Sequence, residues 1–368
     1  MAIAWAIFYL VIRFVFRWSP RGAKLYPLGF ILRSEKTIGI FDKIASAMPS
    51  ILKILSDMGI ALGFGMMAFS IYILSKNLGT YLFAPAAVGP QNIVIPLVIG
   101  VTIRFEHLPY LLFALGVVLI THEGMHGLIS RLEKIKIKST GLFLFYIFPG
   151  GFVEPDEEEF QKARSRAKAR VAAGGSLANL IVGIAVLLLM IGLFLPEAGV
   201  VVLEANGESG IKVNDIIYSV NNVTVNRATL FQNISASNTL QVQTSRGTFT
   251  YPLKKAINMP LAWILRELGV KRIDYYFPAK ISLGSPIAEY ILYRILSWTQ
   301  FLAINVAIFN MMPIYFLDGA LLVNALLEPK VKSERKLKIL NAALTSICLF
   351  LIVSNIAFTF KTFGFLQI

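Results

Sequence analysis

Apolar residues run through this chain in stretches long enough to cross a bilayer, at roughly 2–18, 51–75, 108–130, 170–195, 286–310 and 338–360. At about 20 residues per crossing, the pattern predicts six transmembrane helices. The first stretch sits where a signal peptide would. Arg13 and Arg17 follow its apolar part and no small-residue cleavage site appears, so it reads as a retained anchor. A shorter run, Ile93 to Ile103, contains Pro96 and reads as an extracytoplasmic or interfacial element. Between the fourth and fifth stretches the pattern changes. Val200–Leu203, Ile216–Val225, Thr239–Thr244 and Thr248–Tyr251 alternate or cluster as short strands with turn residues between them, and Ala228–Ser235 reads as a short helix. Pro260–Leu268 follows as a short amphipathic helix with Trp263 available to the lipid interface, in a linker resting on the membrane surface.

Composition supports this reading. Of 368 residues, 56% are hydrophobic, and the mean hydropathy is +0.68, too apolar for a soluble chain of this size. The formal net charge of +14 would suggest nucleic acid in a soluble protein, but no aromatic-interleaved basic patch accompanies it. Instead the basic residues flank the apolar stretches. Arg13, Arg17, Arg21 and Lys24 follow the first; Arg131, Lys134, Lys136 and Lys138 follow the third. Lys162 to Arg170 precede the fourth, and Lys330, Lys332, Arg335, Lys336 and Lys338 separate the last two. All fall on one side if the N-terminus is outside, which makes that side cytoplasmic and leaves the β-rich insert extracytoplasmic. Cys348 is the only cysteine, which excludes an intramolecular disulfide and thiolate zinc sites.

Against this oily background stands His122-Glu123-Gly124-Met125-His126, holding two of the chain's three histidines. Residues four apart share a helix face, so His122 and His126 can hold one zinc ion with Glu123 beside it. Ionisable groups deep in a bilayer cost a few kcal/mol each and mark function; a divalent metal organises three of them at once. A catalytic zinc takes three protein ligands and a water whose pKa falls to about 7, and Glu123 is placed to take the water's proton and return it to the leaving amine. The third ligand falls to Asp318, in Asn310-Met-Met-Pro313-Ile-Tyr-Phe-Leu317-Asp318-Gly319. Pro313 breaks the fifth helix and Gly319 relaxes the backbone, so the carboxylate can turn inward. Counting from Ser130, His122 lies eight residues deep, about 12 Å at helical rise, which matches the depth of Asp318. His107 precedes His122 by 15 residues, about 22 Å of helix, and cannot share the metal. Glu154 and Asp156 to Glu159 read as a solvated acidic loop.

These residues resemble the site-2 protease family of intramembrane zinc metalloproteases, whose hallmarks are H-E-x-x-H on one transmembrane helix and N-x-x-P-x-x-x-L-D-G on a later one. The likeness covers the chain from about Leu108 to Pro329. It implies His122, His126 and Asp318 as Zn2+ ligands, Glu123 as catalytic base, and Asn310 as a residue that holds substrate near the metal. Ala173-Gly174-Gly175-Ser176-Leu177-Ala178-Asn179 looks like the family's A-G-P-x-x-N segment without its proline, with Asn179 either positioning substrate or lying on a small-residue packing face. Phe148-Pro149-Gly150-Gly151-Phe152-Val153 resembles the family's membrane-reentrant β-loop. Gly150 and Gly151 there either offer an edge for pairing with an unwound substrate or form a plain turn.

The β-rich insert looks like a PDZ domain, on Gly210-Ile-Lys-Val-Asn-Asp-Ile-Ile-Tyr-Ser-Val-Asn-Asn-Val-Thr-Val225, with Asn214 and Asn222 in place of turn glycines. Peptide capture and a size filter over the site are equally open for it. The expected organisation is N-terminal helices and loops at 1–107, a first part of the protease core at 108–195 and the PDZ-like domain at 196–256. An interfacial linker follows at 257–285, then the second part of the core at 286–329 and a last helix at 330–368. The resemblance implies hydrolysis, within or at the cytoplasmic edge of the lipid bilayer, of single-span membrane proteins. The rival reading is a zinc-containing membrane receptor or scaffold that signals through its PDZ domain without proteolysis.

Overall fold

The computed structural model describes residues 22–26, 28–35, 38–145, 148–331 and 333–367. The first predicted span, with Arg13, Arg17 and Arg21, lies outside them, as does Lys332. Among the described residues five helices are long and apolar enough to cross a membrane: Pro49–Phe83, Phe105–Leu132, Ser165–Leu193, Pro286–Asn310 and Glu334–Phe363. Each carries large apolar side chains facing outward, such as Ile120 (67% exposed) and Phe350 (64%), which only lipid can cover without penalty. The chain is an integral membrane protein. The stretch Ile93–Ile103 forms no helix and holds only a bridge between Ile99 and Ile103.

In chain order the elements are strands β1 (Ala23–Tyr26) and β2 (Gly29–Ser34), helices α1 (Ile38–Ala47), α2 (Pro49–Phe83) and α3 (Leu108–Leu132), and strands β3 (Ile137–Phe145) and β4 (Phe148–Pro155). Helices α4 (Glu157–Lys162) and α5 (Ser165–Leu193) follow, then strands β5 (Val200–Ala205), β6 (Ile216–Val220), β7 (Val223–Thr224), β8 (Asn233–Ala236), β9 (Thr239–Thr244), β10 (Gly247–Pro252) and β11 (Ile257–Pro260). Helix α6 (Leu261–Glu267), strand β12 (Val270–Tyr275) and helices α7 (Pro286–Asn310), α8 (Asp318–Leu327) and α9 (Glu334–Phe363) complete it. They divide into two compact units, Ala185–Trp298 and the remainder.

In the larger unit, α2, α5, α7 and α8 meet through small residues: Ala169, Ala172, Ala173, Ala307 and Ala325 are buried together with Met66, Met311 and Leu322. Small side chains let membrane helices approach closely where burial of apolar surface supplies little drive. A four-stranded antiparallel sheet runs β1-β2-β3-β4, and β4 packs against α3. The acidic run after β4 is the helix α4, with Asp156 accepting from Glu159 N at its start.

Two polar networks tie these helices. Arg170 of α5 donates to Asp57 of α2 (2.8 Å) and to Glu133, just beyond α3 (2.6 Å). Between α2 and α9, Asn77 Nδ2 donates to Asn355 Oδ1 (2.8 Å) and to Asn92 O (2.9 Å), while Asn92 Nδ2 donates back to Asn77 Oδ1 (2.6 Å). Asn355 Nδ2 donates to Leu74 O (3.0 Å), and Thr359 Oγ1 accepts from Val94 N (3.0 Å). Further along α9, Cys348 packs with Met312 and Ile314, and Thr345 Oγ1 accepts from Tyr315 N (3.1 Å).

The smaller unit holds a sheet ordered β10-β9-β6-β5-β12 over a core that includes Val200, Val202, Ile217, Leu240 and Val242. Asn214 and Asn222 take positive φ, 70° and 65°, as their turn positions predicted. The expected helix at Ala228–Ser235 is absent. Asn226 Oδ1 caps one turn, accepting from Ala228 N and Thr229 N, after which β8 pairs antiparallel with β11, Ile234 opposite Met259. Spacing of four buries Leu230 and Ile234 in either conformation, and the returning strand decides. Nor is the segment after 257 a linker laid on lipid. Leu261, Ile264 and Leu265 of α6 enter the same core, and β12 pairs with β5, while Trp263 stays 67% exposed.

Arg170 is 12% exposed, between Glu133 at 17% and Asp57 at 32%, so losing it strands two carboxylates that water reaches only in part. Arg170→Met is expected to cost about 2 kcal/mol, below the range for a fully buried pair. Arg166→Met removes a side chain 70% exposed from the same Asp57 and is expected to cost roughly 0.5 kcal/mol. Denaturant unfolding in detergent, followed by tryptophan fluorescence, checks the difference; equal losses would refute it.

Candidate metal centre

Helix α3 brings His122 and His126 to one face, one turn apart, as their spacing predicted. Their Nε2 atoms stand 3.2 Å apart. Asp318, the first residue of α8, places Oδ2 at 3.1 Å from His122 Nε2 and 3.3 Å from His126 Nε2. The three side chains are 8%, 14% and 15% exposed. Zinc bonds of about 2.0–2.1 Å in a tetrahedron set the donor atoms roughly 3.3 Å apart, so the separations suit that ion.

Proton placement gives a second test of fit. His126 Nδ1 lies 2.7 Å from Val171 O. A carbonyl only accepts, so Nδ1 carries a proton, and in the neutral ring Nε2 presents a lone pair. Asp318 Oδ2, buried without a hydrogen-bond donor, faces that lone pair. Two imidazoles and a carboxylate turned on one another, largely shielded from water, are a donor set that suits a zinc ion.

Close backbone approaches make this convergence possible. A Cβ at Gly175 of α5 would stand 2.4 Å from His126 Nε2 and 2.7 Å from His122 Nε2, so the backbone of α5 forms one wall of the site. At Gly319 it would stand 2.2 Å from Met311 O, because the chain folds back on the end of α7 before α8 begins. Pro313 follows the last residue of α7 by three positions and cannot continue that helix.

The remaining predicted residues divide. Glu123 Oε2 accepts from Val153 N of β4 (3.0 Å). A Cβ on Gly151 would lie 3.2 Å from Glu123 Cγ. Gly150 instead lies beneath the Phe143 ring, 2.1 Å from where its own Cβ would be, and serves the packing of β4 on β3. Asn310 Nδ2 stands 3.3 Å from His122 Nε2. Asn179 is fully buried, with its carboxamide 3.1 Å from His122 Nδ1 and 3.0 Å from Thr121 Oγ1. His107 is buried at the start of α3, away from the group. The reading from residues alone passed over Val171, Gly175 and Thr121. The signal was there: Val171, Gly175 and Asn179 are spaced by four, one face of α5.

The family model described as peptidase family M50 matches residues 110–353. An uncharacterized protein of Methanocaldococcus jannaschii is similar, 28% identical over 232 residues that take in 61% of this chain and 58% of the relative. The match thus spans less than two thirds of that relative's length.

Gly175→Ala and Gly319→Ala are expected to reduce zinc bound by the purified chain to about a tenth of the unmodified level or less, by displacing donor atoms. Gly124→Ala is the control, since nothing lies within 4 Å of the added methyl and bound zinc should not change. Elemental analysis with circular dichroism reads both. Full zinc in the first two variants would contradict the placement of α5 and α8.

Proposed function

The chain belongs to peptidase family M50, the site-2 protease family, and on that premise we propose that it is a zinc endopeptidase cutting transmembrane segments of single-span membrane proteins. Family membership makes it a membrane metallopeptidase; the residue roles and the substrate class are our reading. The observation that carries it is the convergence of His122, His126 and Asp318 within 3.3 Å beside Glu123.

In this reading the three side chains hold Zn2+, which when bound supplies Lewis acidity and lowers the pKa of water at the site. Glu123 is the base. Its Oε2 is held by the Val153 N–H, which leaves Oε1 to take the proton of the attacking water and return it to the departing amine nitrogen. Asn310, at the mouth of the same group, offers its amide to the substrate peptide.

A helical peptide bond is shielded from attack, so the substrate must unwind. Strand β4 ends the order β1-β2-β3-β4 and pairs with β3 on one side only. Since the Val153 N–H points away from β3, alternation turns the N–H and C=O of Gly151 the same way. Gly151 is then the position where an unwound strand would pair, directly beside Glu123. Gly150, committed to Phe143, has no such duty.

We also assign the smaller unit as PDZ-like, outside the cytoplasm, with the metal group near the cytoplasmic face. The asparagine turns support the PDZ-like assignment, and strand β12 at the sheet edge suits strand addition by a peptide, with a size filter the equal alternative. The receptor reading leaves the alignment of Glu123 with the strand without a purpose.

Glu123→Gln is expected to keep bound zinc and lower cleavage of a co-reconstituted single-span substrate by about a thousandfold or more. Unchanged cleavage would remove the assigned base. Gly151→Val is expected to reduce cleavage at least about tenfold with zinc retained, read by the same two assays.

A further inference from the structure

Asn179 is entirely buried, and both ends of its carboxamide are engaged. The amide nitrogen Nδ2 lies 3.1 Å from His122 Nδ1. The oxygen Oδ1 lies 3.0 Å from Thr121 Oγ1, whose hydroxyl is also 2.9 Å from Val117 O. No part of the side chain is left to touch a substrate. What this residue can do is decide which nitrogen of His122 carries the proton.

For His122 to offer Nε2 to a metal, Nδ1 must carry the hydrogen, so the group facing it must accept. A half-turn of the carboxamide exchanges oxygen and nitrogen without moving their positions. With the oxygen toward Nδ1, the Asn179 amide donates to Thr121 Oγ1, and the Thr121 hydroxyl donates to Val117 O. Each of these three contacts then runs from a donor to an acceptor. With the amide toward Nδ1 instead, the proton sits on Nε2, and His122 has no lone pair for a metal.

We propose that Asn179 and Thr121 form a relay, anchored on the Val117 carbonyl, that fixes His122 in its metal-binding tautomer. Asn179 is therefore a positioning residue for a ligand, not a contact for substrate. The proposal rests on the metal-centre reading and goes beyond it in giving these two residues a role. It also accounts for the spacing in α5. Val171 O orients His126, Gly175 admits both rings, and Asn179 orients His122, all on one helical face.

The test uses the purified full-length chain in detergent, with Zn2+ affinity measured by competition against a chromophoric chelator. An aspartate can accept from Nδ1–H but has no amide to donate, so Asn179→Asp separates the two roles. Asn179→Leu is expected to weaken Zn2+ binding about ten- to a hundredfold, and Thr121→Val to weaken it less, in the same direction. Asn179→Asp should bind within about threefold of the unmodified chain, with the substrate KM unchanged once zinc is saturating. Thermal unfolding of each variant shows that the fold persists, and Asn179→Asp supplies the comparison if Asn179→Leu does not fold. Asn179→Asp binding Zn2+ normally but losing substrate affinity would overturn the relay in favour of substrate contact. So would Asn179→Leu binding Zn2+ as tightly as the unmodified chain. If the unmodified chain binds no Zn2+, the metal centre fails and the relay with it.

Discussion

Two imidazole nitrogens and a carboxylate oxygen lie within 3.3 Å of one another, largely sheltered from water, a grouping suited to share one cation. Much of the larger unit reads as the means of forcing that meeting. Helix α3 supplies two donors in a single turn. The third comes from 192 residues further along than His126, on a helix whose first residue is Asp318 itself. Asp318 can start α8 where it does because Gly319 passes against the Met311 carbonyl with no side chain in the way.

Helix α5 contributes no donor and yet touches the arrangement at three levels. Its backbone carbonyl at Val171 orients one ring, its bare Cα at Gly175 leaves room for both, and its side chain at Asn179 reaches the other. A metal site is commonly described by its ligands. In the proposed site, the helix behind the ligands orients their rings.

The sequence carried some of this plainly and some not at all. The His122–His126 spacing and the Leu317-Asp318-Gly319 turn are local signals, and local geometry follows them. The apolar runs fixed five helices among the described residues because hydropathy over 20 residues is a sum that few alternatives can mimic. Strands β1 to β3 gave no comparable warning: Ile137–Phe145 is short and mixed in character, and what makes it a strand is pairing with partners on both sides. The same is true of 228–235, where two apolar residues four apart suit a helix as well as a strand, and the partner at 257–260 settles the matter. Gly150 and Gly151 are adjacent and alike in sequence; only the pleat, which sends one toward Phe143 and the other toward Glu123, tells them apart.

The amide cluster joining α2 to α9 has a consequence well away from where it sits. Asn77, Asn92 and Asn355 bond to one another and to nearby backbone carbonyls, so sliding α9 by one turn would orphan several amides in hydrocarbon, at a cost of a few kcal/mol. The register of α9 is locked. Because Cys348 and Thr345 of that helix in turn hold Met312, Ile314 and Tyr315, the loop leading to Asp318 inherits the lock. The cluster acts as a depth gauge: a ruler set near one end of α9 fixes how far into the membrane the carboxylate reaches.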